Sequence, residues 1–544
     1  MNKVSLGLLF TLVCAFSSTL FAAKISFDAV SLAADETISK TWENDSLSIS
    51  FQISEMDVNV KKIAPYKDDF QQIQMNGLNV SKKVGAPELP FYSMIVEGRP
   101  EEIKLNVELG DTFQYDFLPV PAQEKPCRCA KKNELSKFHV NKKFYNKGQK
   151  QVELVHLGDF KGRELTKVIV RPVSYNFKDG LRVYPNMKVK LNNITTFSMA
   201  SIESNETMLV LYTDSLEDGA NEFINYKKSQ GFNIISHALS EVGKTADDVK
   251  SFVQSQYGEQ AFDYAVFVGH EDNFPSHYVQ TSSSTVTPSD YPNFLMGGEG
   301  DQIPDVFYGR IVAQTNAEVH SQVTKMIEYN SKSWESAEGE KNHIGIASNE
   351  GWDPTDVQYV QAMINPLVSA LGHEASYFLQ ENSDATVENI NESLNRGAIF
   401  LNYIGHGSGN SWSSIAEGEY HSDDVKNLKA GKVKPIIIDV ACQNGRFNYN
   451  GRLGERFMNE TSNGKPIGAV AYYGGSVDIS WDPPAVMAIA INEAIAKQNN
   501  ESLAQVIMKG QMHLIETYDD PEAAIENLKW YHIFGDPALA TPAI

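Results

Sequence analysis

The sequence predicts an α/β fold of two α/β subdomains, preceded by a β-rich domain. Three observations carry this. Short alternating segments separated by Gly, Pro and Asn run from residue 24 to about 200, with no long amphipathic helix among them. After the polar turn-like stretch 200–206 the pattern changes to strand–helix alternation, which means a parallel sheet. A second polar stretch, 331–341, separates two runs of that alternation. The boundaries follow: 1–23 a leader, 24–205 a β-rich domain, 206–335 one α/β subdomain, and 336–544 a second.

The 544 residues suit about three domains at roughly 100–200 residues each. With 42% hydrophobic and 21% charged residues the chain is ordinary for a globular protein, which excludes wholesale disorder. Lys and Arg number 47 against 69 Asp and Glu, a formal charge of −22. Nucleic-acid binding needs basic stripes, so this balance argues against a nucleic-acid partner.

Lys3, the apolar run Val4–Phe16 and the small-residue region Ser17–Ala23 read as a secretory signal peptide, too short to span a bilayer. Cys14 would suit a lipid anchor, but Val13 precedes it where a small residue is usual, and simple secretion is the better reading. No later apolar run approaches ~20 residues, so no transmembrane anchor is expected. Beyond the leader stand Cys127, Cys129 and Cys442. A Cys127–Cys129 disulfide would be strained, and the spacing is wrong for a zinc knuckle. Cys442 is then an odd thiol in an exported protein, which points to chemistry.

In the β-rich region, Leu47–Ile53, Ile103–Leu109, Lys167–Val173 and Met187–Leu191 alternate as half-buried strands. Then come strand Met208–Tyr212, helix Leu216–Gln230, strand Phe232–Ile235, helix Asp247–Gln256 and strand Tyr264–Val268. Thr315 with Glu318 makes a capping box opening a helix through Ile327. The second run predicts strand Ile344–Ala347, helix Val357–Leu371, strand Ala375–Leu379 and helix Val387–Arg396 stopped by Gly397. Strands at Ala398–Ile404, Pro435–Ala441 and Ile467–Tyr473 and helices at Val486–Lys497 and Leu503–Glu516 complete it.

The two purest strands run into reactive residues: Ala398–Ile404 into Gly405-His406-Gly407-Ser408, and Pro435–Ala441 into Cys442-Gln443-Asn444-Gly445. Open α/β sheets bind ligands beyond the carboxyl ends of their strands. As parallel neighbours these strands bring imidazole and thiol together, and a thiol needs such a base to populate its thiolate. Glycines beside His406 permit tight turns that leave amides for an oxyanion. Taken singly, a histidine or a strand-end cysteine is more often structural; their joint placement favours a Cys–His hydrolase.

NYIGHGSGNSW (Asn402–Trp412) and VACQNGRF (Val440–Phe447) resemble the gingipain-type cysteine peptidases, as do YGRI (Tyr308–Ile311), GKPIGAVA (Gly464–Ala471) and FGDP (Phe534–Pro537). The resemblance covers about residues 207–544; upstream, GAPELPFYSMIV (Gly85–Val96) is similar to the family's inhibitory propeptide. It implies a caspase–hemoglobinase-like catalytic region, with Cys442 as nucleophile, His406 as base and acid, and the Gly407 and Cys442 amides as oxyanion hole. Glu350 in ASNEGW matches the acid that supports the histidine. In basic-specific members an acid closes the S1 pocket; Asp356 falls near it after a gap, and Trp481 matches an aromatic that covers the pocket. Asp478 and Asp482 are the alternatives. Arg446 stands where the family usually has an acid. The implied function is a secreted cysteine endopeptidase made as a zymogen, preferring Arg or Lys at P1. Its expected partners are protein or peptide substrates and its own propeptide, with autocleavage between about Lys188 and Lys227. The rivals are a transpeptidase on the same site and a binding or adhesion protein keeping the scaffold.

The chemistry itself needs no cofactor. The glycine-containing loop Asp290–Asp305 carries Asp290, Glu299, Asp301 and Asp305, and such oxygen-rich loops suit a structural Ca2+. His270, also ending a strand, has no cysteine paired with it by motif and reads as structural.

Overall fold

The computed structural model describes the chain apart from residues 1–21, 28–36, 64–65, 67–68, 124, 126–137, 200–205, 283–284, 333–341, 352–353, 373, 498 and 542–544. The leader with Cys14, and Cys127 and Cys129, therefore lie outside the described residues, as does most of the polar stretch at 200–206. No helix among the described residues is long and apolar enough to cross a membrane.

The N-terminal region is strand-rich. Its described strands pair antiparallel, and one of its sheets joins Ile38–Glu43, Ser46–Phe51, Lys188–Asn192 and Lys104–Glu108. Leu47, Ile49, Phe51, Val189 and Leu191 enter one core while their neighbours point outward, the alternation a half-buried sheet requires. A long hairpin, Val152–Phe160 with Arg163–Val170, turns at Lys161 and Gly162, both at positive φ.

The remainder is built on one ten-stranded sheet. Its strands in chain order are β1 (Thr207–Tyr212), β2 (Asn233–Ala238), β3 (Tyr264–Val268), β4 (Phe307–Ile311), β5 (Asn342–Ala347), β6 (Glu374–Leu379), β7 (Phe400–Ile404), β8 (Ile436–Val440), β9 (Ala471–Gly475) and β10 (Tyr531–Phe534). The spatial order is β2-β1-β3-β4-β10-β9-β8-β7-β5-β6. Strands β1–β4 are mutually parallel, and so are β5–β9. Between them β10 runs antiparallel to β9 and pairs in parallel with β4 at Arg310–Phe534, so the two halves point in opposite senses.

The longer helices are α1 (Glu217–Ser229), α2 (Ala246–Glu259), α3 (Asn316–Asn330), α4 (Asp356–Leu371), α5 (Val387–Arg396), α6 (Leu453–Asn459), α7 (Asp482–Ala496), α8 (Leu503–Thr517) and α9 (Pro521–Trp530). Capping boxes at Thr245, Thr315, Thr355 and Ser502 fix the starts of α2, α3, α4 and α8. Strand alternation separates two cores. Leu401, Tyr403 and Ile437 pack with Leu453 and Phe457 of α6 on one face. Phe400, Ile404, Ile436 and Ile438 pack with Met487 and Ile491 of α7 on the other.

The family-like motifs have mechanical roles. Asp536 of FGDP is wholly buried and takes a salt bridge from Lys227 of α1 at 2.9 Å. Arg310 of YGRI, equally buried, grips Asp290 through Nε (2.8 Å) and Nη2 (2.6 Å) and donates to the Gly269 carbonyl.

Candidate active site

Three neighbouring parallel strands end at one place. Ile404 of β7 pairs with Val440 of β8, and Ala347 of β5 pairs with Ile404. His406 and Cys442 each stand two residues past a paired strand end, and Glu350 stands three past the end of β5. His406 Nε2 lies 2.8 Å from Glu350 Oε2. A carboxylate accepts, so Nε2 carries the proton and the lone pair is left on Nδ1, the nitrogen able to take a proton from a thiol. Cys442 is buried, while the side chains of His406 and Glu350 keep 19% and 21% exposure, enough for a substrate to reach the imidazole.

Each member is held from behind. The Tyr403 hydroxyl donates to the His406 carbonyl (2.7 Å), and the His406 amide donates to Ser414 Oγ (3.0 Å). The Glu350 amide donates to Ser348 Oγ (3.1 Å), which donates in turn to Asp356 Oδ2 (2.5 Å); the Asp356 amide donates to the Glu350 carbonyl (3.0 Å). After Cys442 the chain turns sharply. Gln443 takes a left-handed φ of 62°, unusual without glycine, and its amide bonds the Val477 carbonyl while its side-chain amide donates to Asp478 Oδ1 (2.7 Å).

Gly407 is glycine for a steric reason. A Cβ there would lie 2.4 Å from the Cys442 carbonyl oxygen and 2.8 Å from its nitrogen. The His406 turn is closed by Ser408 N–H to the Ser411 carbonyl and Ser413 N–H to the His406 carbonyl, which does not use the Gly407 N–H. The close approach puts the Gly407 and Cys442 backbones side by side, the disposition an oxyanion hole needs.

Trp481 stands against the imidazole, ring centroids 6.1 Å apart and nearly perpendicular. Asp356, expected at the foot of a pocket, is wholly buried as the first residue of α4 and is bound into the Glu350 loop. Asp478 supports Gln443, and Asp482 accepts from the Tyr359 hydroxyl (2.8 Å) and from Lys125 of the N-terminal domain (2.9 Å). Trp481, Asp482, Lys82, Lys83, Gln123 and Lys125 help line a cleft of about 460 Å³ between that domain and α7.

The four acids considered for calcium do not converge. Asp290 is taken by Arg310; Asp301 accepts the Gly297 and Ile303 amides; Asp305 accepts the Met296 and Lys161 amides. Glu299 shares only an open hollow with Asp301, lined also by Asp159 and Glu164. Among the described residues no group of three or more His, Cys, Asp or Glu side chains is arranged to hold a metal ion, so this set does not fit a calcium site. His270, buried at the end of β3, donates its amide to Asn273 and accepts from the Asp272 amide at Nδ1. Its strand belongs to the oppositely directed half of the sheet. Ser348, Tyr403, Ser414, Gln443 and Lys125 were not singled out from sequence. Only Gln443 carried a signal, its place next to the cysteine; hydroxyl props far apart in sequence have none.

A thiol and an imidazole at adjacent strand ends, with a carboxylate behind the imidazole and glycine-spaced amides beside the sulfur, are the working parts of a cysteine hydrolase. The chain belongs to peptidase family C25, whose model matches residues 201–542. It is 25% identical over 362 residues to gingipain R2 of Porphyromonas gingivalis, covering 63% of this chain and 47% of that protein. To gingipain R1 of the same species it is 25% identical over 354 residues, covering 62% and 34%. The chain thus spans less than half the length of these relatives. The crystal structure of the Arg-specific cysteine proteinase gingipain R (RgpB) superposes with a TM-score of 0.59 at 24% identity, over 64% of this chain and 81% of that one. The complex of RgpB pro- and mature domains gives 0.57 at 24%, over 62% and 81%. These likenesses establish the gingipain, caspase–hemoglobinase-like fold.

Proposed function

We propose that the protein is a secreted cysteine endopeptidase made as a zymogen. The observation that carries the reading is the convergence of Glu350, His406 and Cys442 at the ends of β5, β7 and β8. Cys442 Sγ attacks the scissile carbonyl carbon as His406 Nδ1 takes the thiol proton. The Gly407 and Cys442 amides hold the resulting oxyanion. Collapse expels the amine, which receives that proton from His406, and leaves a thioester on Cys442. Water, deprotonated by His406, hydrolyses the thioester and restores the thiol. Glu350 keeps the imidazole in the productive tautomer and stabilises its charged form.

The P1 preference is for Arg or Lys. The gingipain R likeness supports this, together with two carboxylates close to Trp481 in the chain, Asp478 and Asp482, and the buried carboxylate of Asp356 at the start of α4. The N-terminal domain acts as the inhibitory propeptide. Its Lys125 donates to Asp482, the residue next to Trp481. The RgpB pro–mature complex is the fitting precedent.

The test is hydrolysis of a peptide library varied at P1, by processed wild type beside Cys442→Ala, under reducing conditions with and without Ca2+. Turnover by wild type alone, concentrated at Arg and Lys, is expected. Turnover at other residues discards the P1 assignment, and turnover that survives Cys442→Ala discards the mechanism.

A further inference from the structure

Arg446 and Arg452 follow Cys442 in the chain, and among the described residues neither meets a carboxylate. Arg99, Arg163, Arg171 and Arg310 each face an acid, as expected in a chain of charge −22. Arg446 instead spends Nε on Asn448 Oδ1 (2.7 Å) and Nη2 on the Val286 carbonyl (3.2 Å). Arg452 spends Nη1 on the Ser408 carbonyl (3.2 Å) and Asn410 Oδ1 (3.3 Å). Both guanidiniums stack on Tyr449, at 5.1 and 4.9 Å from its centroid, and Tyr449 is 52% exposed. Two like charges on one ring, one of them partly buried, are costly unless an anion arrives, and burial together with Arg446 lowers the pKa of Arg452.

Their place in the fold says which part of a substrate would meet them. Arg452 caps α6, which packs on one face of the sheet, whereas Trp481 caps α7 on the other. Cys442 and His406 lie at the sheet edge between those faces. Arg446 is four residues past Cys442, and Arg452 binds the carbonyl two residues past His406. A peptide whose P1 side chain lies against Trp481 crosses this edge and delivers its leaving-group side to the arginines.

We propose that Arg446, Tyr449 and Arg452 form a subsite that recognises a carboxylate on the leaving-group side of the scissile bond. The ligand is an Asp or Glu side chain, or the free C-terminus of a short product. Planar guanidiniums on an aromatic platform, with N–H groups left for a second partner, suit bidentate carboxylate binding. The assignment rests on the peptidase reading, with Trp481 marking the P1 side.

The experiment compares three peptides sharing the best P1 residue: a neutral amidated leaving group, the same with one Asp or Glu, and the neutral peptide with a free carboxylate. Wild type is expected to favour a carboxylate form by about tenfold in kcat/KM, the size of one charge-assisted contact. The favoured form tells side chain from chain end. The ratio should fall towards one in Arg446→Gln, and Arg446→Asp should turn it towards a Lys-bearing leaving group. A wild-type ratio near one, or a ratio unchanged in Arg446→Gln, overturns the subsite while leaving the peptidase intact. Affinities of the same peptides for Cys442→Ala protein give the ratio without turnover. Failure of all cleavage would therefore count against the peptidase reading, and the binding ratio would still decide the subsite.

Discussion

At the residue scale one hydrogen bond orients the imidazole, His406 Nε2 to Glu350 Oε2 at 2.8 Å. Substituting Glu350 by Gln keeps the shape but offers the imidazole a neutral partner, which can favour the wrong tautomer. We expect kcat to fall by about 10²–10⁴-fold with KM little changed, the range for impairing a general acid–base whose tautomer the acid fixes. Steady-state kinetics on titrated active sites, with a pH profile, check this; an unchanged kcat would remove Glu350 from the mechanism. His406, Cys442 and Gly407 were legible in sequence because each sits at the end of a pure strand or beside a glycine-flanked turn. Glu350 came only from family resemblance, since a loop carboxylate has no pattern of its own. Asp356 likewise came only from family resemblance; it is buried, accepts from Ser348 Oγ and donates its amide to the Glu350 carbonyl.

At the element scale, the helices that alternate strictly were legible to within a residue or a few: 387–396 is unchanged, and 357–371 begins one residue earlier at the Thr355 cap. The strand expected at 467–473 lies instead at Ala471–Gly475, because Lys465–Pro466 forms a small hairpin with Thr461–Ser462. The sequence reading had no strand for Tyr531–Phe534, which closes the sheet between β4 and β9, since four residues leave no periodicity. The element that anchors this closure is the Lys227–Asp536 pair, with side chains 1% and 0% exposed. Replacing Lys227 by Met strands a buried carboxylate, and we expect a loss of about 3–5 kcal/mol in urea denaturation. Replacing both residues with apolar ones should recover much of that loss, whereas an equal cost for the double variant would refute the pairing argument.

At the scale of the whole molecule, the N-terminal domain grips the catalytic region at two further places besides the Lys125–Asp482 pair. The hairpin turn puts Lys161 Nζ on Asp263 (2.6 Å). Elsewhere Lys167 is driven into the end of α8, donating to the Ile515 and Tyr518 carbonyls, with Arg171 and Lys83 facing Asp519 and Asp520. Burial lowers Lys167 from 10.5 to about 8, partly offset by Asp519 and Glu516. Below about 8 the lysine is protonated both docked and released, so the desolvation cost of docking is constant and full. Between about 8 and 10.5 the docked domain holds fewer protons than the released one, so its contribution to docking strengthens as pH rises. After cleavage of the linker, the separated N-terminal domain should therefore dissociate faster at pH 7 than at pH 9.5. The Lys167→Met variant should lose most of that difference. A surface plasmon resonance series across this range gives the answer, and a steeper loss of binding at high pH would contradict the assignment.

The central claim is that Cys442 carries the acyl group. Processed enzyme reacted briefly with a slowly hydrolysed peptide ester, quenched in acid and weighed intact, tests it most directly. The account predicts one acyl adduct, mapped by digestion to Cys442, sensitive to hydroxylamine and absent from Cys442→Ala. Continued peptide turnover with no adduct on Cys442, or an adduct on any other residue, would contradict it.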